Sequence, residues 1–113
     1  MDSNLHSLTK RYIQTWNQHD SQKVVDLFSD QSILRDWDIE AENKINIKQA
    51  NQNIFDHCPD IHCDILQIHV SESTNTTCSE LIINVNDTEK IKVVDIITFD
   101  NNELITSLRA YKG

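Results

Sequence analysis

The spacing of apolar residues changes at Pro59, the only proline of the chain. Before Pro59, apolar residues recur every three or four positions, as they do on the buried face of an amphipathic helix. After it they alternate with polar residues, as in strands that bury one face. Helices first and successive strands afterwards predict an α+β domain, in which the helices pack on one face of an antiparallel sheet.

Two helices, a short strand over residues 31–37 and a third helix are predicted before Pro59. The second helix begins after Asp20 or Ser21, either of which can cap it. The third ends near Cys58, because the residue before a proline disfavours helical geometry. The apolar positions are Leu5, Leu8, Tyr12, Ile13 and Trp16 in the first helix, Val24, Val25, Leu27 and Phe28 in the second, and Ile47, Ala50, Ile54 and Phe55 in the third.

Four strands are predicted after Pro59. The first alternates at Ile61, Cys63 and Ile65 and continues less regularly at Ile68 and Val70. The others fall on residues 81–85, 91–99 and 104–110. Because the only glycine is the last residue, Asn and Asp in the connections STNT, NDTE and DNN must adopt the positive φ angles that glycine usually supplies.

Charge and glycine content exclude several classes of protein. Lys and Arg number 10 against 18 Asp and Glu, a net charge of −8. So acidic a chain is a poor partner for nucleic acid or an anionic membrane, since both are bound through cationic side chains. The lack of internal glycine excludes the P-loop and the dinucleotide-binding fingerprint.

Length and segment composition predict one soluble domain over residues 1–113. The N-terminal residues contain no apolar signal segment, and no stretch approaches the roughly 20 residues needed to span a bilayer. A cytoplasmic location is therefore expected, with the three cysteines as reduced thiols. The segment His57–Cys63 holds two His and two Cys, but their spacing matches no tetrahedral zinc site, so no metal is expected.

An acidic residue interrupts one apolar face of the strand predicted over residues 91–99. Alternation places Asp95 on that face, together with Ile91, Val93, Ile97 and Phe99. An unpaired carboxylate is costly there, so Asp95 is expected either to pair with a neighbouring Lys, Arg or Tyr or to stay protonated. A protonated carboxylic acid is a strong hydrogen-bond donor.

Asp36 and Tyr12 are two further candidates. Alternation places Asp36 on the side of Leu34, although an aspartate at a strand end commonly serves a turn. Tyr12 lies on the apolar face of the first helix, where any buried tyrosine needs a partner for its hydroxyl. Taken singly, none of the three candidates indicates a function.

The sequence resembles the nuclear transport factor 2-like superfamily, and within it the branch of ketosteroid isomerases and SnoaL-like proteins. The resemblance rests on RYIQTWNQHDSQKVVDLFSDQSILRDW in the first third and KIKVVDIITFDNNELITSLRAYKG at the end, whereas residues 60–88 match only in strand pattern. It implies a cone-shaped fold. In it, three N-terminal helices pack on a strongly curved, mixed and mostly antiparallel sheet and enclose an apolar cavity.

The resemblance also implies roles for the three candidates. Tyr12 falls on the oxyanion-hole tyrosine of the isomerases, Asp36 on the general base, and Asp95 on the second oxyanion donor, four residues before a strand-ending Phe. The implied activity is that of a cofactor-independent, steroid delta-isomerase-like enzyme, which moves a proton α to the carbonyl of a small apolar substrate. The residues expected in the cavity wall are Trp16, Trp37, Phe55, Val93 and Ile97.

Several positions depart from the family pattern. Trp37 is bulky and would narrow or roof the cavity. The glycine before the third helix is replaced by Asn43, and that of the last hairpin by Asn102 or Glu103.

The charged neighbours of Asp36 leave a second interpretation open. Arg35 and Asp38 flank this segment and do not form a clean apolar rim. A module of the same fold that binds an apolar ligand without turning it over, or that serves mainly for dimerisation, is the alternative. The expected partners are a small apolar carbonyl-bearing ligand and a second copy of the chain, which would pair through the open face of the sheet.

Overall fold

The computed structural model describes residues 4–113. In chain order the elements are α1 (Asn4–Trp16), α2 (Ser21–Val25), β1 (Phe28–Arg35), β2 (Glu40–Glu42), α3 (Asn43–His57), β3 (His62–Ser71), a 3-10 turn (Glu72–Thr74), β4 (Thr76–Asn84), β5 (Lys90–Phe99) and β6 (Ile105–Lys112). The α+β class and the predicted order are confirmed, with β2 as an additional short strand. Within residues 4–113, no helix is both long and apolar enough to cross a membrane.

The strands form one mixed sheet in the order β2-β1-β6-β5-β4-β3. Neighbouring strands are antiparallel except β1 and β6, which are parallel. Helix α1 contacts β3 and β4, whereas α3 contacts β1 and β2. The apolar core lies between these helices and one face of the sheet, so the inward-facing side chains of β5 and β6 lie under the helical layer.

A bulge in β3 explains the irregular alternation of its sequence. The register with β4 shifts between Ile65 and Gln67, and the side chain of Leu66 is 60% exposed. An extra residue reverses the faces that follow it, so burial passes from Cys63 to Ile68. The irregular spacing of apolar residues between Ile65 and Ile68 is therefore explained by this bulge.

Of the predicted connections, STNT contains a residue with positive φ, Asn75, whereas NDTE contains none, so the prediction is wrong there. The φ angles are 65° at Asn43 and 51° at Asn75, and Asn is a residue that tolerates this region. In the last hairpin Glu103 adopts it, with φ 67°, rather than Asn102. At the start of α2, Asp20 is the cap: its carboxylate accepts hydrogen bonds from two backbone N–H groups, each at 3.1 Å.

Buried and partly buried hydrogen bonds fix α1 over the sheet and against α3. The hydroxyls of Thr9 and Thr77 lie 2.8 Å apart and join α1 to β4. The indole Nε1 of Trp16 donates to Asn51 Oδ1 in α3 at 3.0 Å. The Asn17 side-chain amide bonds both backbone groups of Cys63, at 2.7 and 2.9 Å. These bonds hold the helical wall of the pocket described next.

Candidate functional site

A pocket of about 400 Å³ lies between the helices and the sheet. This volume is at the small end of the range of roughly 300–1,000 Å³ found for small-molecule sites. Most of its wall is apolar, and the polar side chains are few. Its lining residues are Tyr12, Ile13, Trp16, Leu34, Asp36, Trp37, Asp38, Ile39, Asn51, Ile54, Cys58, Ile61, Cys63, Leu81, Ile83, Val85, Glu89, Ile91, Asp95, Leu108, Ala110 and Lys112.

Asp95 is the buried acid of this pocket. It lies in the middle of β5, between Ser79 of β4 and Ala110 of β6, and is 7% exposed. Within residues 4–113 its carboxyl group forms no hydrogen bond or salt bridge. Of the two alternatives that the sequence left open, pairing with a Lys, Arg or Tyr is therefore not found among these residues. Burial raises the pKa of Asp95 from 3.8 to about 7, and the negative charge of Asp36 adds to the shift.

Tyr12 extends from α1 into the same pocket. Its ring packs edge-on against Phe28, with centroids 6.0 Å apart, and the residue is 4% exposed. Burial raises the pKa of Tyr12 well above 10, and the charges of Asp95 and Cys63 act in the same direction. The phenol therefore keeps its proton and is available as a hydrogen-bond donor.

Asp36 lies one residue beyond β1, at the turn that leads to β2. Its Oδ1 accepts hydrogen bonds from the backbone N–H groups of Asp38 and Ile39, at 2.7 and 2.6 Å. The turn therefore orients the carboxylate and leaves Oδ2 without a hydrogen bond in the described part of the chain. Arg35 is exposed and does not line the pocket.

The three candidate residues thus share one pocket and differ in chemistry. The buried acid Asp95 titrates near neutral pH, Tyr12 is a protonated phenol, and Asp36 has one carboxylate oxygen open. Two donors and one acceptor against an apolar wall can bind a polar group of an apolar ligand and exchange a proton with it. The sequence had separated these residues by element, and the fold brings them together.

Three residues that the sequence assigned to the cavity wall lie outside the lining. Phe55 packs edge-on to Trp16 and stacks on His19, with centroids 5.3 and 4.6 Å apart, so its ring is used in helix packing. Ile97 is fully buried in the core. Val93 lies between Leu81 and Lys112 in the sheet register, and these longer side chains line the pocket in its place. Trp16 and Trp37 do line it.

The pocket also includes residues that the sequence analysis did not single out. Asn51 is 2% exposed and holds the indole of Trp16, and a polar residue within the apolar stripe of α3 was its only signal. Cys63 lies in the wall as well. Burial raises the pKa of its thiol to about 12, with the charge of Asp95 adding to the shift. A neutral thiol is a weak metal ligand and a weak nucleophile.

The cysteines and histidines of residues 57–63 lie in two different environments. Cys58 and Cys63 line the pocket, whereas His57 and His62 are exposed. In the part of the chain that the structure describes, no three His, Cys, Asp or Glu side chains form a group able to hold a metal ion.

Sequence and structure comparisons give consistent results. A family model for the SnoaL-like domain matches residues 9–108. Among curated proteins, none matches the sequence significantly.

Solved structures share the fold at low sequence identity. A putative isomerase of the SnoaL-like family from Agrobacterium tumefaciens is 12% identical, with a TM-score of 0.84 over 98% of this chain and 99% of that one. The epoxide hydrolase/cyclase-like enzyme SalBIII, with a role in pyran ring formation in the polyether salinomycin, is 16% identical, with a TM-score of 0.82 over 96% and 90%. A putative ketosteroid isomerase from Kribbella flavida is 12% identical, with a TM-score of 0.81 over 96% and 77%.

Proposed function

The chain belongs to the SnoaL-like domain family, and from that premise we propose that it is an isomerase of small apolar carbonyl compounds. The observation that supports this most is Asp95, a carboxyl group more than nine-tenths buried that lines an apolar pocket without a hydrogen-bond partner among residues 4–113. Ketosteroid isomerase uses a carboxylic acid kept neutral in this way as a hydrogen-bond donor. In this proposal the curved sheet and the helices together enclose the substrate.

The proposed reaction moves one proton. In a β,γ-unsaturated ketone, Asp36 Oδ2 removes a proton from the carbon α to the carbonyl. The electron pair of that C–H bond forms an enolate that is conjugated with the carbon–carbon double bond, that is, a dienolate. Tyr12 and protonated Asp95 donate hydrogen bonds to the enolate oxygen, where negative charge develops in the transition state. Protonated Asp36 then returns the proton to the far carbon of the dienolate, which gives the conjugated product and restores the carboxylate.

Isomerisation of a β,γ-unsaturated ketosteroid, followed by ultraviolet absorbance of the conjugated enone, tests this proposal. Asp36→Asn should lower kcat by roughly 10²–10⁴-fold, the usual contribution of a general base. Asp95→Ala should lower it by roughly 10²–10³-fold through loss of an oxyanion donor. Asp30→Asn is the matched control, because it removes an exposed carboxylate that lies outside the pocket lining.

A non-catalytic binding module is the second candidate. The hydrogen bonds that Asp36 Oδ1 accepts in its turn favour it, since they give this aspartate a structural use that needs no catalysis. Calorimetry that shows binding of the conjugated enone, together with no turnover of the β,γ-isomer at any pH from 5 to 9, would refute the isomerase and support the binding module.

We propose further that two copies of the chain pair through the sheet face opposite the helices. On that face Ile96 lies between Cys78 and Arg109 in the register and is only partly buried, and Tyr111 is 51% exposed. Size-exclusion chromatography with light scattering should give twice the chain mass of 13.1 kDa. Ile96→Asp should give the monomer mass, whereas Ile45→Asp, on the 82% exposed side chain in α3, should not. A monomeric parent protein would refute the pairing.

A further inference from the structure

The mouth of the pocket has an unbalanced set of charges. We define the mouth by the charged lining residues that are exposed or half-buried, which are Asp36, Asp38 and Glu89 with carboxylates and Lys112 with the single ammonium group. Within residues 4–113, none of the three carboxylates has a Lys, Arg or His partner within salt-bridge distance. A net charge of −8 on the whole chain adds to the local excess.

Trp37 gives the mouth an aromatic surface between two of these acids. The side chain is 40% exposed and lines the pocket, and Asp36 and Asp38 flank it in sequence. The Lys112 Nζ lies over its ring, 5.8 Å from the centroid. An indole face beside carboxylates is the surroundings in which proteins bind organic ammonium groups. The Lys112 ammonium occupies this place in the structure, so a ligand ammonium group would displace Lys112 from the ring.

Charge at the mouth acts on any ligand that enters. A carboxylate or phosphate would lose hydration beside three negative charges with one cation to compensate it, which is unfavourable. An ammonium group at the same place would be attracted by them. The inner end of the pocket differs, because Tyr12 and Asp95 there supply hydrogen-bond donors to a neutral oxygen.

We propose that the ligand of this pocket carries a protonated amine at one end, held at the mouth by Trp37, Asp38 and Glu89, with its apolar body and carbonyl reaching inward. A second observation independently marks the pocket as a ligand site: the unpartnered carboxyl of Asp95, more than nine-tenths buried, lines its inner wall. The inward direction of the carbonyl rests on the isomerase proposed above. The position of the amine at the mouth does not depend on that proposal.

Three conjugated 3-ketosteroids that differ only at the far end of the skeleton test this selectivity. One carries a primary amine there, one a hydroxyl and one a carboxylate, and calorimetry measures their Kd values at low salt. We expect the amine to bind about tenfold more tightly than the hydroxyl compound, and the carboxylate more weakly than either. The differences should shrink in high salt, which screens exposed charges.

A double variant and a matched control locate the effect. Asp38→Asn with Glu89→Gln should remove most of the preference for the amine and leave the Kd of the hydroxyl compound within about twofold. Asp30→Asn with Glu72→Gln makes the same change in net charge at exposed residues outside the pocket lining, and should keep the preference.

The outcomes separate this inference from the isomerase. Equal binding of the three compounds, or no binding by any of them, would overturn the amine site. Isomerisation of the hydroxyl-bearing β,γ-isomer without an amine preference would overturn the amine site alone. Amine preference without isomerisation would support the amine site and refute the isomerase.

Discussion

The pH dependence of stability offers a direct measure of how the fold treats Asp95. The carboxyl has a pKa of about 7 in the folded protein, against 3.8 without the surrounding structure. The folded state therefore holds this proton more tightly than the unfolded state does. Below pH 4 both states are protonated and the stability associated with the group is fully present. Between pH 4 and 7 the unfolded state ionises first, so the free energy of unfolding falls as pH rises.

The size of this loss follows from the pKa difference. A shift of about 3 pKa units at roughly 1.4 kcal/mol per unit amounts to on the order of 4 kcal/mol. Asp95 is almost fully buried, so solvent screens this contribution little. For a domain with a stability of roughly 5–15 kcal/mol, such a loss is a large part of the total.

Asp95→Asn isolates the effect, because asparagine is nearly isosteric and does not ionise. Urea unfolding of the parent and the variant from pH 4 to pH 8 should show their difference in free energy of unfolding change by about 4 kcal/mol in favour of the variant. All other acids titrate in both proteins and cancel in the difference. Asp30→Asn, which replaces an exposed acid, should give a flat difference.

Two results would refute this reasoning. A flat difference for Asp95→Asn would mean that the carboxyl has the same pKa in the folded and unfolded states. A difference in favour of the parent at high pH would mean that the folded state stabilises the carboxylate through hydrogen bonds. In either case a neutral Asp95 would not be available as an oxyanion donor at pH 7.

Two further predictions concern the pocket wall. Asn51→Leu removes the acceptor of the Trp16 indole N–H, 3.0 Å away, and should cost about 1–3 kcal/mol in urea unfolding because a buried donor is left unpaired; the exposed Asn53→Ala should cost far less, and equal costs would contradict the role of this bond. Cys63, as the single cysteine of a Cys58→Ser, Cys78→Ser background, should react with a disulfide reagent at pH 8 roughly 40-fold more slowly than a thiol of pKa 9.0. Its pKa of about 12 lowers the thiolate fraction about 900-fold, and the greater nucleophilicity of the more basic thiolate recovers about 20-fold of that. A rate like that of a small free thiol would show that Cys63 ionises normally.

Much of the fold was predictable because it depends on local patterns. The change of period at Pro59 predicted the order of helices and strands, and the break in alternation between Ile65 and Ile68 marked the bulge of β3. Strand β2 was missed because three residues, of which only Ala41 is buried, give too short a pattern to detect. A period identifies faces over several residues and does not resolve an element of this length.

The walls of the pocket were less predictable, because alternation gives the face of a residue and not what covers it. Val93 and Ile97 lie on the same face as Asp95, yet neither lines the pocket. Phe55 likewise faces inward from α3 and is used against Trp16 and His19. What decides lining is the length of the cross-strand neighbours and the position of the helices above, which are properties of tertiary packing.

Asp95 and its register neighbour Ser79, whose hydroxyl also lacks a hydrogen-bond partner among residues 4–113, differ from Thr77 on the same buried face of the sheet in a way that favours a functional explanation. Thr77 of β4 lies on that face and is fully buried, and its hydroxyl is paired with Thr9 at 2.8 Å. Helix α1 is therefore able to satisfy a polar side chain of the sheet where the fold requires it. Two strand positions away, at Asp95, the described chain supplies no partner and leaves a pocket instead. The cost to stability of this unpaired carboxyl is on the order of 4 kcal/mol at neutral pH. A pairing residue or an apolar side chain at this position would remove the cost, so folding alone is a poor explanation for Asp95. A ligand that accepts the Asp95 proton in a hydrogen bond would offset it.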